Sequence, residues 1–293
     1  MKTLDIKKTY KLYINGEFPR TESGRYYPLL NKQKEMVANI CLASRKDFRN
    51  AVVAARNAQT SWAERAAMNK AQILYRMAEM LEGRKAQFIE ELIQQGESKS
   101  SAEKEVQLAI DCCVYYCGWC DKYQSLFSSV NPVASSHFNF SVPEPMGVVA
   151  IIAPEKPSLH GLLSMLLPII VGGNTCVILA STSQPLTSIT LGEVFASSDL
   201  PSGVVNILTG TSKELIPHFA SHMDVNAIVY GRDNKEDWKQ IASLASNNVK
   251  RSMRWEYDWM LAASQNPYLI LETQEIKTTW HPIEQIGVSG AKY

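Results

Sequence analysis

Cysteine is the residue type that first invites a chemical reading. Six occur in the 293 residues, at Cys41, Cys112, Cys113, Cys117, Cys120 and Cys176, and four of them crowd into the segment CCVYYCGWC. The Cys117-x-x-Cys120 spacing would suit half of a tetrahedral zinc site, but no second CxxC follows and no histidine is nearby. Helical spacing places Cys113, Cys117 and Cys120 on one stripe, the pattern of small side chains packed inward, so no metal site is expected. The five histidines, His137, His160, His218, His222 and His281, are scattered. His160 begins a helix and could lie in a crevice, although a surface or helix-start histidine is the commoner case. No Ser-His-Asp arrangement can be assembled from spacing.

The chain is 45% hydrophobic and 20% charged, enough to build one large core or two modest ones. Lys+Arg 30 against Asp+Glu 29 leaves a formal charge of +1, so nothing points to nucleic acid or a membrane surface. The opening MKTLDIKKTYKLYINGEF has no apolar stretch of signal-peptide length, and runs such as 162–171 are too short to span a bilayer. A soluble, cytoplasmic protein with reduced thiols is expected.

The elements that must position any site follow from periodicity. Residues 10–15 alternate and end in Asn15-Gly16, a hairpin turn, and a further strand is expected near 36–42. Ser44 offers an N-cap for a helix running to about Glu64. A long amphipathic helix is expected over 68–93, with Leu74, Met77, Ala78 and Leu81 on one face, and a third over 102–127 after the GESKSS break. The stretch NPVASSHFNFSVPEP reads as an extended ribbon. From Gly147 short β-rich runs at 147–154, 175–180, 204–210 and 225–231 alternate with helical stretches near 159–171, 186–198, 212–221 and 234–247. That rhythm means βαβ units and an α/β fold with a parallel sheet covered on both faces. Residues 266–283 alternate well enough for a strand or a bent pair of strands, and a flexible tail is expected after them.

The order of these pieces resembles the aldehyde dehydrogenase superfamily over roughly residues 10–250. The phrases that carry the resemblance are YINGEF, PEPMGVVAIIAP, VGGNTCVILA, LPSGVVNILTG and HMDVNAIVYG. It implies a Rossmann-type doubly wound sheet with NAD(P) at the carboxyl ends of the strands, a β-ribbon used for oligomerisation, and a separate catalytic domain with a nucleophilic cysteine. The chain as a whole then reads as one aldehyde dehydrogenase-like nucleotide-binding domain, with ribbon segments at about 130–146 and 266–283. A closer resemblance, carried by VYYCGWCDK and SVNPV, is to the incomplete second domain of the family-16 aldehyde dehydrogenases, which lacks catalytic machinery.

Several positions depart from the family pattern. Lys156 stands where the family's oxyanion-holding Asn would be, and a flexible ammonium is a poor substitute for a fixed amide donor. Ala180-Ser181-Thr182-Ser183 replaces the KPSE segment that grips the adenosine ribose. Tyr230-Gly231-Arg232 replaces TGS, and Arg232 either binds a phosphate or, more commonly for such a residue, faces solvent. Trp255 falls at the register of the general-base Glu, with Glu256 one residue late and so on the other face of a strand. No cysteine follows Cys176, and after Tyr257 the chain passes almost directly to YLILETQEIKTTW, so the catalytic domain is expected to be missing.

Three functions remain in view. The first is a non-catalytic pseudoenzyme, an oligomerisation or scaffold partner of itself or of a full-length aldehyde dehydrogenase. Its contacts are expected at Phe138, Phe140, Val142, Ile270, Ile276 and Trp280, although Phe and Trp often cover only their own core. The second is an NAD(P)-binding module using Ala153, Pro154, Gly210, Gly231 and Arg232, for which weak or no NAD affinity is expected. The third is an NAD-dependent aldehyde oxidoreductase with an atypical nucleophile. Because Cys176 starts a strand, away from the carboxyl ends, no catalytic residue is assigned.

Overall fold

A computed structural model describes residues 7–283, and the tail expected after Ile283 lies outside the described residues. Thr9–Tyr10 (β1) leads into a narrow hairpin whose turn residues Asn15 and Gly16 have φ of 54° and 77°, the left-handed values a two-residue turn requires. Tyr26–Leu30 (β2) and Met36–Cys41 (β3) complete a small sheet in the order β1-β3-β2. The hairpin also reaches the main body, because Tyr13 exchanges both backbone hydrogen bonds with Ile207.

The helical layer begins with Arg45–Ala63 (α1), capped by Ser44 as its type suggests: the Ser44 hydroxyl accepts from the Asp47 amide and the Asp47 carboxylate accepts from the Ser44 amide. The single helix expected over 68–93 is two, Ala67–Gly83 (α2) and Lys85–Gln94 (α3). The break falls at Arg84, whose backbone leaves the helical region after a glycine of low propensity and whose guanidinium reaches Glu193 at 2.5 Å. The third helix starts earlier than expected, at Lys99 behind an N-cap at Ser98, and stops at Cys117 (α4); Gly118 caps it before the short Tyr123–Phe127 (α5). Cys117 and Cys120 therefore flank a turn rather than continue one helical stripe.

Ser129–Asn131 (β4) and His137–Pro145 (β5) follow, and then the α/β repeat expected from the sequence. Its elements are Val148–Ile152 (β6), His160–Val171 (α6), Thr175–Leu179 (β7), Leu186–Ser197 (α7), Val205–Leu208 (β8), Ser212–Ser221 (α8), Ala227–Tyr230 (β9) and Lys235–Ala245 (α9). A fifth strand, Arg251–Arg254 (β10), closes an all-parallel sheet in the order β10-β9-β6-β7-β8. Successive side chains of each strand enter opposite layers: Val149, Ile151, Cys176 and Ile178 join the core with α4, α6 and α7, whereas Val148, Ala150, Val177 and Leu179 join the one with α1 and α8. The doubly wound arrangement read from the sequence is the one observed.

The asparagines of the recognisable phrases serve as staples. Asn174 accepts from the Gly147 amide and donates to the Thr273 carbonyl at 2.9 Å in each case. Asn206 donates to the Cys176 and Gly203 carbonyls and accepts from the Asn15 amide. Each satisfies backbone groups that burial would otherwise leave unpaired.

The expectation for the last segment is corrected as well. Residues 266–283 are not a strand throughout: Pro267 starts a helical turn, Tyr268–Glu272 (α10), and only Gln274–Pro282 (β11) is extended. Ile270 is consequently fully buried in the core, held inward by that turn, and cannot be an outer contact residue. β11 pairs antiparallel with β5, and β5 with β4, giving a ribbon sheet in the order β11-β5-β4. Among the described residues no helix is long and apolar enough to cross a membrane.

Asp47 also accepts the Thr21 hydroxyl at 2.7 Å and the Glu22 amide. Loss of Ser44→Ala is expected to cost about 1 kcal/mol, that of an ordinary cap, and Asp47→Ala more, about 2–3 kcal/mol, because three further donors lose their acceptor. Urea unfolding midpoints of the two variants check the order.

Candidate functional site

Strand order reverses between β6 and β9, which makes the carboxyl ends of these two strands the place where a doubly wound sheet binds ligands. A cleft of about 950 Å³ lies there, bordered by Pro154, Lys156, Lys213, Gly231, Arg232 and the segment Trp255–Trp259. Of the sequence candidates, Pro154, Gly231 and Arg232 line this cleft. Ala153 lies beneath Arg232, and Gly210 stands apart at the end of β8, where its carbonyl accepts the Thr182 hydroxyl.

Arg232 does not face solvent, the commoner reading of its position. Its side chain is only 8% exposed and lies across the strand ends. Nε donates to the Ala153 carbonyl at 2.7 Å after β6, Nη2 to the Ala180 carbonyl at 2.8 Å after β7, and Nη1 to the Ser212 hydroxyl at 2.7 Å at the start of α8. Nη1 also meets Glu155 Oε1 at 2.6 Å. The physical reason is the row of unpaired carbonyls at the end of a parallel sheet, which a planar five-donor group can satisfy together.

Glu155 completes the arrangement from the loop after β6. Its carboxylate accepts from the Thr182 and Ser183 amides at 3.0 Å and from the Ser181 and Ser183 hydroxyls at 3.0 and 2.8 Å. Burial alone would raise its pKa; the Arg232 charge and the Ser183 and Thr182 donors outweigh burial and hold it below the usual carboxylate range. Burial lowers that of Arg232, opposed by Glu155.

A second carboxylate occupies the start of α6, the helix after the first strand of the sheet. Glu105, from α4, accepts from the Leu159 amide at 2.8 Å and the His160 amide at 3.3 Å. Burial pushes its carboxyl up, against those two amides. In doubly wound folds the amides at this helix start receive a dinucleotide's pyrophosphate. Both of these backbone anion positions are therefore taken by carboxylates of the chain itself.

Among the described residues, the positions that the family resemblance marks for catalysis hold other groups. Lys156 is exposed and bound to Glu97 at 2.6 Å. Trp255 is buried, donating from Nε1 to Glu272 at 2.5 Å, while Glu256 lies exposed on the cleft rim and pairs with Arg254. Burial raises the thiols of Cys112 and Cys120 to about 12 and those of Cys113 and Cys176 well above their ordinary value, and it also raises Cys117; a buried protonated thiol is inert. Among the described residues no group of three metal-ligating side chains occurs. Sequence reading missed Glu105 and Glu155 because carboxylates so far apart in the chain give no local signal.

His160 is buried, not in the open cleft, with Nε2 at 3.5 Å from the Ser164 hydroxyl. Burial pushes its pKa down to about 4, from an ordinary 6.5. The folded chain holds the ring neutral while the unfolded chain protonates it below 6.5, so this stability is complete above that pH and is lost as pH falls towards 4. The loss is expected to reach roughly 3 kcal/mol at most. Urea unfolding of wild type and His160→Gln, compared near neutral pH and again under mild acid, should show the wild-type advantage shrinking in acid; the opposing titration of Glu105, and of Glu91 in α3, whose carboxyl burial also raises, is common to both proteins.

The aldehyde dehydrogenase family pattern matches residues 20–280. Cytosolic 10-formyltetrahydrofolate dehydrogenase of Mus musculus is 28% identical over 257 residues, covering 86% of this chain and 28% of that protein. Putative aldehyde dehydrogenase DhaS of Bacillus subtilis is 28% identical over 251 residues, covering 84% of this chain and 50% of that protein. Among solved structures, the NAD+ complex of aldehyde dehydrogenase from Bacillus cereus superposes with a TM-score of 0.80 at 24% identity, and PnpE from Pseudomonas sp. WBC-3 with 0.80 at 26%; each comparison covers 84% of this chain and 50% of the other. The chain thus spans half or less of the length of these relatives. The asparagine staples, the doubly wound sheet and nearly all of the ribbon fall within residues 20–280, and the chain belongs to the aldehyde dehydrogenase family.

Proposed function

We propose that this chain is a non-catalytic aldehyde dehydrogenase-like protein of the cytoplasm that serves as an oligomerisation or scaffold partner of a full-length aldehyde dehydrogenase. The observation that carries the reading is the ribbon. β11 is nine residues long and pairs with β5, and no described strand pairs with its other edge; Arg251 bonds the Gln274 carbonyl at its start. Its side chains are nearly all exposed, including Ile276 at 52% and Trp280 at 57%. An open edge of that length, with Ile276 and Trp280 exposed beside it, is a template for another chain.

The expected contact residues fall on two faces. Facing residues in an antiparallel pair share a face, and Ile276 and Trp280 stand opposite Pro143 and Asn139, whereas Phe138, Phe140 and Val142 stand opposite His281, Thr279 and Lys277. Phe138 and Phe140 pack together at 5.6 Å on their side, and Trp280 meets the His137 ring at 5.8 Å on the other. The contact then joins the β11 edge with the Ile276–Trp280 face. A second reading, an NAD(P)-holding module, has the cleft volume in its favour and the two filled anion positions against it.

Co-purification with a full-length aldehyde dehydrogenase of the same source, read by light scattering on a sizing column, tests the proposal. A stoichiometric complex is expected, and Ile276→Asp with Trp280→Asp should weaken it by at least about tenfold while the circular dichroism stays that of wild type. A chain that elutes alone beside the enzyme at every concentration would sink the proposal.

A further inference from the structure

We propose that Glu155 is a built-in plug: its carboxylate fills a phosphate-type anion subsite at the carboxyl end of the sheet, and emptying that position turns the crevice into a binding site for a phosphate group. The subsite is defined by donors already in place. Two backbone amides, of Thr182 and Ser183, two hydroxyls, of Ser181 and Ser183, and Arg232 Nη1 converge on one carboxylate within 2.6–3.2 Å. Five donors around one anion exceed what a single carboxylate commonly gathers at a turn, and they match the several acceptor oxygens of a phosphate.

Removal of the Glu155 side chain should leave these donors where they are. The Arg232 guanidinium is fixed independently by the Ala153 and Ala180 carbonyls, through Nε and Nη2, so only Nη1 loses a partner. The turn is held by the Ser181 hydroxyl, which also accepts from the Gln184 amide at 2.9 Å. A preorganised set of donors around a vacated space the size of a carboxylate is a ready anion site, since little ordering is left to oppose binding. Glu155 is itself 38% exposed at its side chain, so the position opens onto the cleft rather than into the core.

The plug also accounts for two carboxylates at one strand end. Glu105 covers the amides of α6 from inside the core, and Glu155 covers those of the 182–183 turn from the cleft side. Only the second can be replaced by a ligand from solvent. The ribbon has no part in this site, so failure of the partner reading would leave the inference standing, and the reverse holds too.

The test uses the full chain, wild type and Glu155→Ala, titrated with inorganic phosphate and separately with NAD+. The readouts are fluorescence of Trp255 and Trp259, which line the cleft, and the thermal midpoint. Inorganic phosphate should bind Glu155→Ala tighter than wild type by on the order of tenfold or more, the worth of one charge-assisted hydrogen bond, and the gain should vanish in Glu155→Ala with Arg232→Met. NAD+ binding to the single variant but not to wild type would identify a nucleotide phosphate as the occupant, and phosphate binding without NAD+ binding a free phosphate. Should Glu155→Ala fail to fold in phosphate-free buffer, Glu155→Ser is used as well, and rescue of either by phosphate, but not by chloride at equal ionic strength, counts as the gain. Equal affinity of wild type and variant, a gain that survives the Arg232 substitution, or no rescue would overturn the proposal.

Discussion

A parallel sheet ends in a row of carbonyls that point at nothing, and the way this chain meets that constraint determines the character of its crevice. Arg232 crosses from β9 over β6 to β7 and bonds a carbonyl beyond each of the latter two strands. A buried cation must in turn be compensated, since an isolated charge in such surroundings is costly. Glu155 supplies the compensation and is itself held by the 181–183 turn. Strand ends, ion pair and turn form one connected network, and the cleft takes its shape around it.

The same economy runs through the rest of the sheet. Asn174, Asn206 and Asn226 each place one side-chain amide between segments distant in sequence: Asn174 ties β6 to the approach to β11, Asn206 ties β7 and β8 to the hairpin, and Asn226 accepts from the Val148 amide and Arg56. These residues belong to the phrases through which the family resemblance is recognised. Each bonds backbone groups of the scaffold and none lines the cleft, which marks them as scaffold requirements.

Most of the architecture was legible because it rests on local periodicity. The four βα repeats and the Ser44 cap lie within a few residues of where the apolar runs and the capping box place them. What escaped depended on tertiary partners. The break at Arg84 needs Glu193 from α7, the helical turn that buries Ile270 needs the core beneath it, and the inward course of Arg232 needs carbonyls from two other strands. The site residues Glu105 and Glu155 were invisible for the same reason: a lone Glu in a helix or after a strand is ordinary until the amides it faces are known.

The connection from β10 to β11 is pinched at its ends, because Trp255, the first residue after β10, donates to Glu272, two residues before β11. Two chain ends already held together form a doorway, and the length of what lies between them weighs little on the frame on either side. The loop-closure entropy of a longer passage grows only logarithmically with its length. The junction can therefore change in length between its two ends at little cost to the sheet on one side and the ribbon on the other.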